Sequence, residues 1–391
     1  MKDVPHVPGA AAAPGGLATN LLLAILTTAG LFYVDIMPAL VAALRDGAGF
    51  TAKQAGLVVA ANVYGAAAGG LLAVFTIKKL PWRRAAAVSL LLLIGLDLAC
   101  MGITSPATLI AVRFLHGVVG GLLVGTGYSL IARTAVPNSA FATLFFLQFS
   151  LGGLGVAILP NLVPRFGPSV LFVALALFSA ITLIVLPLVP VFPRMRGERG
   201  EHLQAQRRPL RVMALCAALA AVFLFQAANM SFTAFAIGVG RQLGHTTEFV
   251  SHVLGAAQWI AIIGPLAVIA FGTRFGRVMP LFIAITLGAA AKTAFVYGAL
   301  PIVFMLAAAA TALTIAFTLP YLLGLCAAFD PSGRTATLGG FFSKLGLASG
   351  PAAGAVILQS NGYLHLIAAS ALTTLLAAIA ATFAARRLER S

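Results

Sequence analysis

Twelve apolar runs, most close to the roughly 20 residues that a helix needs to cross the hydrocarbon core of a bilayer, constrain this chain more than any other feature. They fall near residues 17–44, 54–77, 85–104, 107–132, 140–163, 168–190, 211–239, 249–271, 278–299, 302–327, 338–359 and 363–385. Short turns rich in Gly, Pro and charge separate them. With 61% of residues hydrophobic and 9% charged, almost nothing remains from which to build a water-soluble domain. The expected fold class is an all-α membrane protein with twelve transmembrane helices.

The longest polar interruption, Pro193 to Arg211, carries six arginines and divides the runs into two sets of six. The expected organisation is a disordered tail (1–16), an N-terminal six-helix bundle (17–190), a cytoplasmic linker (191–210), a C-terminal six-helix bundle (211–385) and a short tail (386–391). With the N-terminus inside, 18 Lys and Arg fall on the cytoplasmic side, 4 on the outer side and 3 within runs. Excess Lys and Arg mark cytoplasmic loops, so both termini are expected in the cytoplasm and the inner membrane is the expected location. The formal charge of +16 invites a nucleic-acid partner. Its confinement to short loops argues against one. Cys100, Cys216 and Cys326 all lie in apolar runs, an odd set unsuited to a disulfide framework. The first run is too long for a signal peptide and lacks a cleavage site, so it is read as the first span.

The two halves repeat. Ala142-Thr143-Leu144-Phe145-Phe146-Leu147-Gln148 aligns with Ala336-Thr337-Leu338 and Phe341-Phe342-Ser343-Lys344; Ala60-Ala61-Asn62 with Ala256-Ala257-Gln258; Leu72-Ala73-Val74 with Leu266-Ala267-Val268. The offsets are all 194 to 196 residues. Two parallel repeats with a site between them at the bilayer midplane make a transporter plan.

The residues that narrow this further are Arg113-Phe114-Leu115-His116-Gly117-Val118-Val119-Gly120-Gly121 in the fourth span, Asp330-Pro331-Ser332-Gly333-Arg334 after the tenth, and Gly346, Gly350, Pro351 and Gly354 in the eleventh. Together the pattern resembles the major facilitator superfamily, with His116 where that family usually has Gln, and the resemblance covers essentially the whole chain. The loop between spans two and three departs from it: Val74 stands where the family has an acid, ahead of Lys78, Lys79, Arg83 and Arg84. The copy ending Arg274-Phe275-Gly276-Arg277 lacks the acid too. The fifth span carries Gly152, Gly153 and Gly155 without the proline of the family's antiporters. No direction of transport is read from it.

Charged groups inside spans cost about 2.5–3.5 kcal/mol each at a helix centre on insertion scales, so each is a functional candidate. Five stand there: Asp35, Asp97, Arg113, Lys292 and Lys344. Counting about 1.5 Å per residue, Asp35 and Arg113 differ in depth by only about 5 Å. The resemblance places the first and fourth helices on one cavity, so the two are expected to meet. The functional reading makes Asp35 a proton-binding carboxylate tuned by burial and by Arg113; the alternative is a static ion pair. His116, three residues beyond Arg113, either relays a proton or packs through a hydrogen bond. Lys344 either snorkels to the cytoplasmic boundary or binds an anion. Asp97 and Lys292 occupy equivalent places in the third and ninth spans, which the resemblance makes peripheral, so structural roles are expected.

Uncharged polar residues, namely Asn62, Gln148, Gln226, Asn229 and Gln258, with Tyr33 and Tyr64 among aromatics that include Phe32 and Phe225, are the expected substrate-binding set, joined by Lys344. Plain interhelical hydrogen bonding is the rival for each. The glycine stretch Gly117 to Gly127 has no Gly-Lys-Ser/Thr end and reads as close helix packing. No metal-ligand or nucleophile motif is present, so neither a metal, a cofactor nor an enzyme is expected. The expected function is secondary active transport of a small amphipathic or anionic organic solute by alternating access, coupled to protons, by a monomer. A drug-type proton antiporter and a non-transporting receptor or scaffold are the alternatives.

Overall fold

A computed structural model describes residues 16–76, 81–131, 133–134, 137–192, 212–271, 274–329 and 334–389. The expected tail before residue 16, almost all of the linker and the last two residues lie outside them. Every regular element among the described residues is helical. In hydrocarbon a backbone must satisfy its own hydrogen bonds, and a helix does so within a single segment.

The first apolar run is broken into three pieces, α1 (Leu17–Ala29), α2 (Phe32–Asp35) and α3 (Met37–Asp46). Gly30 closes α1, and Pro38 in the first turn of α3 has no N–H to donate backwards, so the helix restarts there. There follow α4 (Ala52–Thr76), α5 (Trp82–Cys100), α6 (Pro106–Ile131), α7 (Pro137–Phe166) and α8 (Ser169–Val185). The second half begins with α9 (Val212–Thr233) and α10 (Ala236–Gln242), then α11 (Thr247–Ala261), α12 (Ile263–Phe271), α13 (Val278–Ala294) and α14 (Pro301–Ala327). The last helix, α15 (Arg334–Glu389), turns sharply at Gly362, whose φ of 78° only glycine adopts without strain. Nine helices among the described residues are long and apolar enough to cross a membrane.

Glycines set how closely the helices approach. A β-carbon on Gly65 or Gly69 of α4 would collide with the backbone of Phe114 or Val118, and one on Gly117 or Gly121 with that of Asn62 or Ala66. The α4–α6 interface is therefore backbone against backbone, the packing read from the glycine stretch in the sequence. Gly346, Gly350 and Gly354 of α15 lie in the same way against α9 at Phe223, Ala227 and Ser231.

The buried apolar residues fall into three clusters. One gathers side chains of both halves, from Phe32, Met37 and Leu171 to Phe235, Phe304 and Leu366. The other two are separate: Leu23, Leu90, Leu130 and Leu144 belong to the first half alone, Leu215, Leu281, Leu322 and Ala381 to the second. The halves therefore share a core at the end where α3 and α10 finish, and keep a core each at the opposite end.

Candidate functional site

Three polar groupings emerge. The first is a closed network inside the N-terminal half. Arg113 of α6 donates to Asp97 of α5 at 2.6 Å, and both side chains are fully buried. His116 Nε2 lies 3.2 Å from Asp97 Oδ1. Asn62 Nδ2 donates to the Arg113 carbonyl at 3.1 Å and approaches His116 Nδ1 at 2.8 Å. The backbone carbonyl fixes which way that amide points, so His116 Nδ1 accepts and Nε2 carries the proton toward Asp97. Tyr33 covers the guanidinium, its ring centroid 4.3 Å from Arg113 Cζ, with Phe172 at 5.4 Å.

The expected contact between Asp35 and Arg113 is not formed. The reason is rotational: Tyr33 stands on Arg113, and two residues further along a helix a side chain points about 200° away. Asp35 therefore faces the opposite direction. Arg113 is paired by Asp97, which sequence reasoning assigned to the periphery. The signal for that pair was present, since the two residues lie 16 apart on consecutive helices joined by a short turn.

Asp35 anchors the second grouping, at the seam between the halves. Its Oδ1 accepts from Gln148 Nε2 of α7 at 2.8 Å, and its backbone carbonyl accepts from Gln258 Nε2 of α11 at 3.3 Å. Its Oδ2 is buried with no hydrogen-bond partner among the described residues. Gly152, one turn beyond Gln148, makes the room: a β-carbon there would come within 2.5 Å of Gln258 Oε1 and 2.8 Å of Asp35 Cβ. Three helices from both halves thus meet at one residue, α7 at its carboxyl group and α11 at its backbone carbonyl, and the second carboxyl oxygen stays unsatisfied.

The third grouping runs along the α4–α15 seam. Tyr64 Oη lies 2.8 Å from Ser349 Oγ, and Lys344 Nζ lies 2.8 Å from where a β-carbon on Gly70 would sit. Lys344 has no ion-pair or hydrogen-bond partner among the described residues and extends toward the first half. The remaining candidates stay apart from these groupings. Gln226 donates to Ser343 Oγ at 3.2 Å and Asn229 to the Phe225 carbonyl of its own helix at 2.7 Å. Lys292, the repeat counterpart of Asp97, is 1% exposed.

From the level of Asp35 to the end where α3 and α10 finish, the halves touch directly. Gly153 packs against Gly255 and Trp259, and Gly56 against Pro351 and Ala355. No group of three or more His, Cys, Asp or Glu suited to a metal ion occurs among the described residues.

The family model described as Major Facilitator Superfamily matches residues 21–343. The chain belongs to the Major Facilitator Superfamily. No curated protein sequence matches it. Among solved structures, the nucleoside transporter NupG is similar with a TM-score of 0.71 at 16% identity, covering 96% of this chain and 100% of that one. The D-xylose-proton symporter is similar with a TM-score of 0.71 at 15% identity, covering 95% and 97%. At such identities the likeness concerns the fold. Family and fold together make this a multi-pass membrane transporter and not an enzyme.

Proposed function

We propose that this superfamily member is a proton-coupled secondary transporter of a small amphipathic or anionic organic solute, in which twelve helices work as two bodies, residues 17–190 and 211–385. The observation that carries the reading is Asp35. It stands where the first span is broken, takes hydrogen bonds from both halves through Gln148 and Gln258, and keeps one oxygen unsatisfied. Its carboxyl, held by Gln148 of its own half, changes its charge by one unit when it takes or gives a proton, at a residue whose backbone carbonyl is held by Gln258 of the other half. That change alters the contact between the bodies, which couples proton occupancy to their relative position.

The arrangement of the cores supports alternating access by rocking. A core shared at one end and separate cores at the other leave a cavity room to open at the unshared end. Within it, Arg113 contributes no free charge because Asp97 neutralises it. The preference for an anion therefore rests on Lys344 alone, with Tyr64, Gln148 and Gln258 as neutral hydrogen-bonding groups. The positions of Gln226 and Asn229, held by their own contacts, favour structural roles for them.

Purified protein screened by thermal shift against metabolites and drugs first supplies a ligand. Proteoliposomes with an imposed proton gradient then test coupling, and the sign of flux separates uptake from drug-type export. The reading expects gradient-driven accumulation by the parent, and exchange without accumulation by Asp35→Asn. Accumulation by Asp35→Asn equal to the parent overturns the assignment, and binding without flux in the parent leaves a receptor.

A further inference from the structure

Asp46 and Glu248 are the two acids at the end of the bundle that the basic-residue count assigns to the outside, and both line one cleft of about 660 Å³. Its walls come from both halves. α3 and the last turns of α7 supply one side, α10 and the first turns of α11 the other. The surface between the polar groups is largely aliphatic, lined by Ala42, Ala157, Leu162 and Val163. A concave apolar site between two bodies, carrying a few polar groups, is the usual form of a small-molecule site.

The charge of the cleft is one-sided. Asp46 is paired with Arg241 across the seam, whereas Glu248 has no ion-pair partner among the described residues. His252, one turn further along α11, is the remaining titratable group of the wall. Two prolines inside α7 add to the negative side: Pro160 and Pro164 have no N–H, so the carbonyls of Val156 and Pro160 lack the donor four residues on. Such oxygens are satisfied by a donor or a cation and repel an anion.

We propose that this cleft binds an amphipathic organic cation arriving from outside, with Glu248 holding the charge and Ala42, Ala157 and Leu162 covering the apolar part. It is a separate site from the one at Asp35: along α7 and α11 the two are divided by Gly153 and Gly255, which pack backbone against backbone. The charge preference is also opposite to that of Lys344, so the occupant is a modulator and not the transported solute. Because it touches both halves, it is held only while they stay together at this end, and by linkage its binding slows the cycle. That consequence rests on the rocking motion proposed above; the binding site does not.

The test uses tetraphenylphosphonium and tetraphenylborate, ions of one shape and opposite charge, with the full chain in detergent micelles and binding read by equilibrium dialysis against protein-free micelles. Tetraphenylphosphonium should bind the parent saturably. Glu248→Gln should weaken it by about two- to fivefold, the worth of an exposed ion pair, and Glu248→Lys should weaken it further while strengthening tetraphenylborate. Ala42→Leu fills the cleft and should weaken both ions by about tenfold. Glu248 stands exposed in the first turn of α11, so its variants keep the test decisive if Ala42→Leu fails to fold. Binding that none of the variants changes, or that responds alike for both ions at Glu248, overturns the site. In proteoliposomes, exchange of the solute found by the thermal screen should be slowed by tetraphenylphosphonium in the parent and not in Glu248→Lys; exchange unaffected in the parent overturns the modulator role. A parent that exchanges no solute at all overturns the transport reading, and the dialysis result still decides the site.

Discussion

Replacing Asp97 by Asn removes the charge that holds Arg113, and the structure fixes how large the effect should be. Arg113 is 0% exposed and Asp97 1%, with 2.6 Å between the paired atoms, so water cannot reach the guanidinium when its partner is lost. Breaking a buried pair on one side costs about 3–5 kcal/mol, because an uncompensated charge remains. Replacing both partners, as Asp97→Leu with Arg113→Met, should bring stability back to within about 1 kcal/mol of the parent, since no orphan charge is left. Asp35→Asn is the control: Asp35 has no cation beside it and the Asn amide oxygen still accepts from Gln148, so the change should stay under about 1.5 kcal/mol. The assay is equilibrium unfolding of the purified protein in mixed micelles, followed by far-ultraviolet dichroism. A loss under about 1 kcal/mol for Asp97→Asn would refute the reasoning. So would a double variant no more stable than Asp97→Asn, because the cost would then belong to shape and not to charge.

Three further outcomes are expected. Gly152→Ala should overpack the seam against Asp35 and Gln258 by about 1–3 kcal/mol and sharply reduce proton-driven flux, measured in proteoliposomes; unchanged flux would separate the seam from coupling. Lys344→Gln, matching Gln148 of the other repeat, should weaken an anionic substrate by about ten- to a hundredfold through loss of one charge-assisted bond, with a neutral substrate little affected; equal effects on both would favour snorkelling. A single cysteine engineered between residues 193 and 211 should be shielded from an impermeant reagent in intact cells, and labelling from outside would invert the topology read from the basic residues.

Most of the helix positions were legible in the sequence, since a lipid-facing backbone has no choice but to satisfy itself and hydropathy records where it does so. The close α4–α6 approach was legible for a similar reason: a run of glycines along one span lets a neighbour's backbone in. The residue types at the seam, Asp35, Gln148 and Gln258, could also be singled out, because polar groups at that depth are costly. What the sequence could not supply was rotation about the helix axis. Tyr33 stands on Arg113, and Asp35, two residues on, points to the other side of the helix, so a reading based on depth alone paired the wrong acid with the base. The contacts across the seam were equally out of reach, including Gly152 beneath Gln258 and Asp46 on Arg241. They join residues from about a hundred to more than two hundred positions apart, and only the packing of one half against the other decides which of them meet.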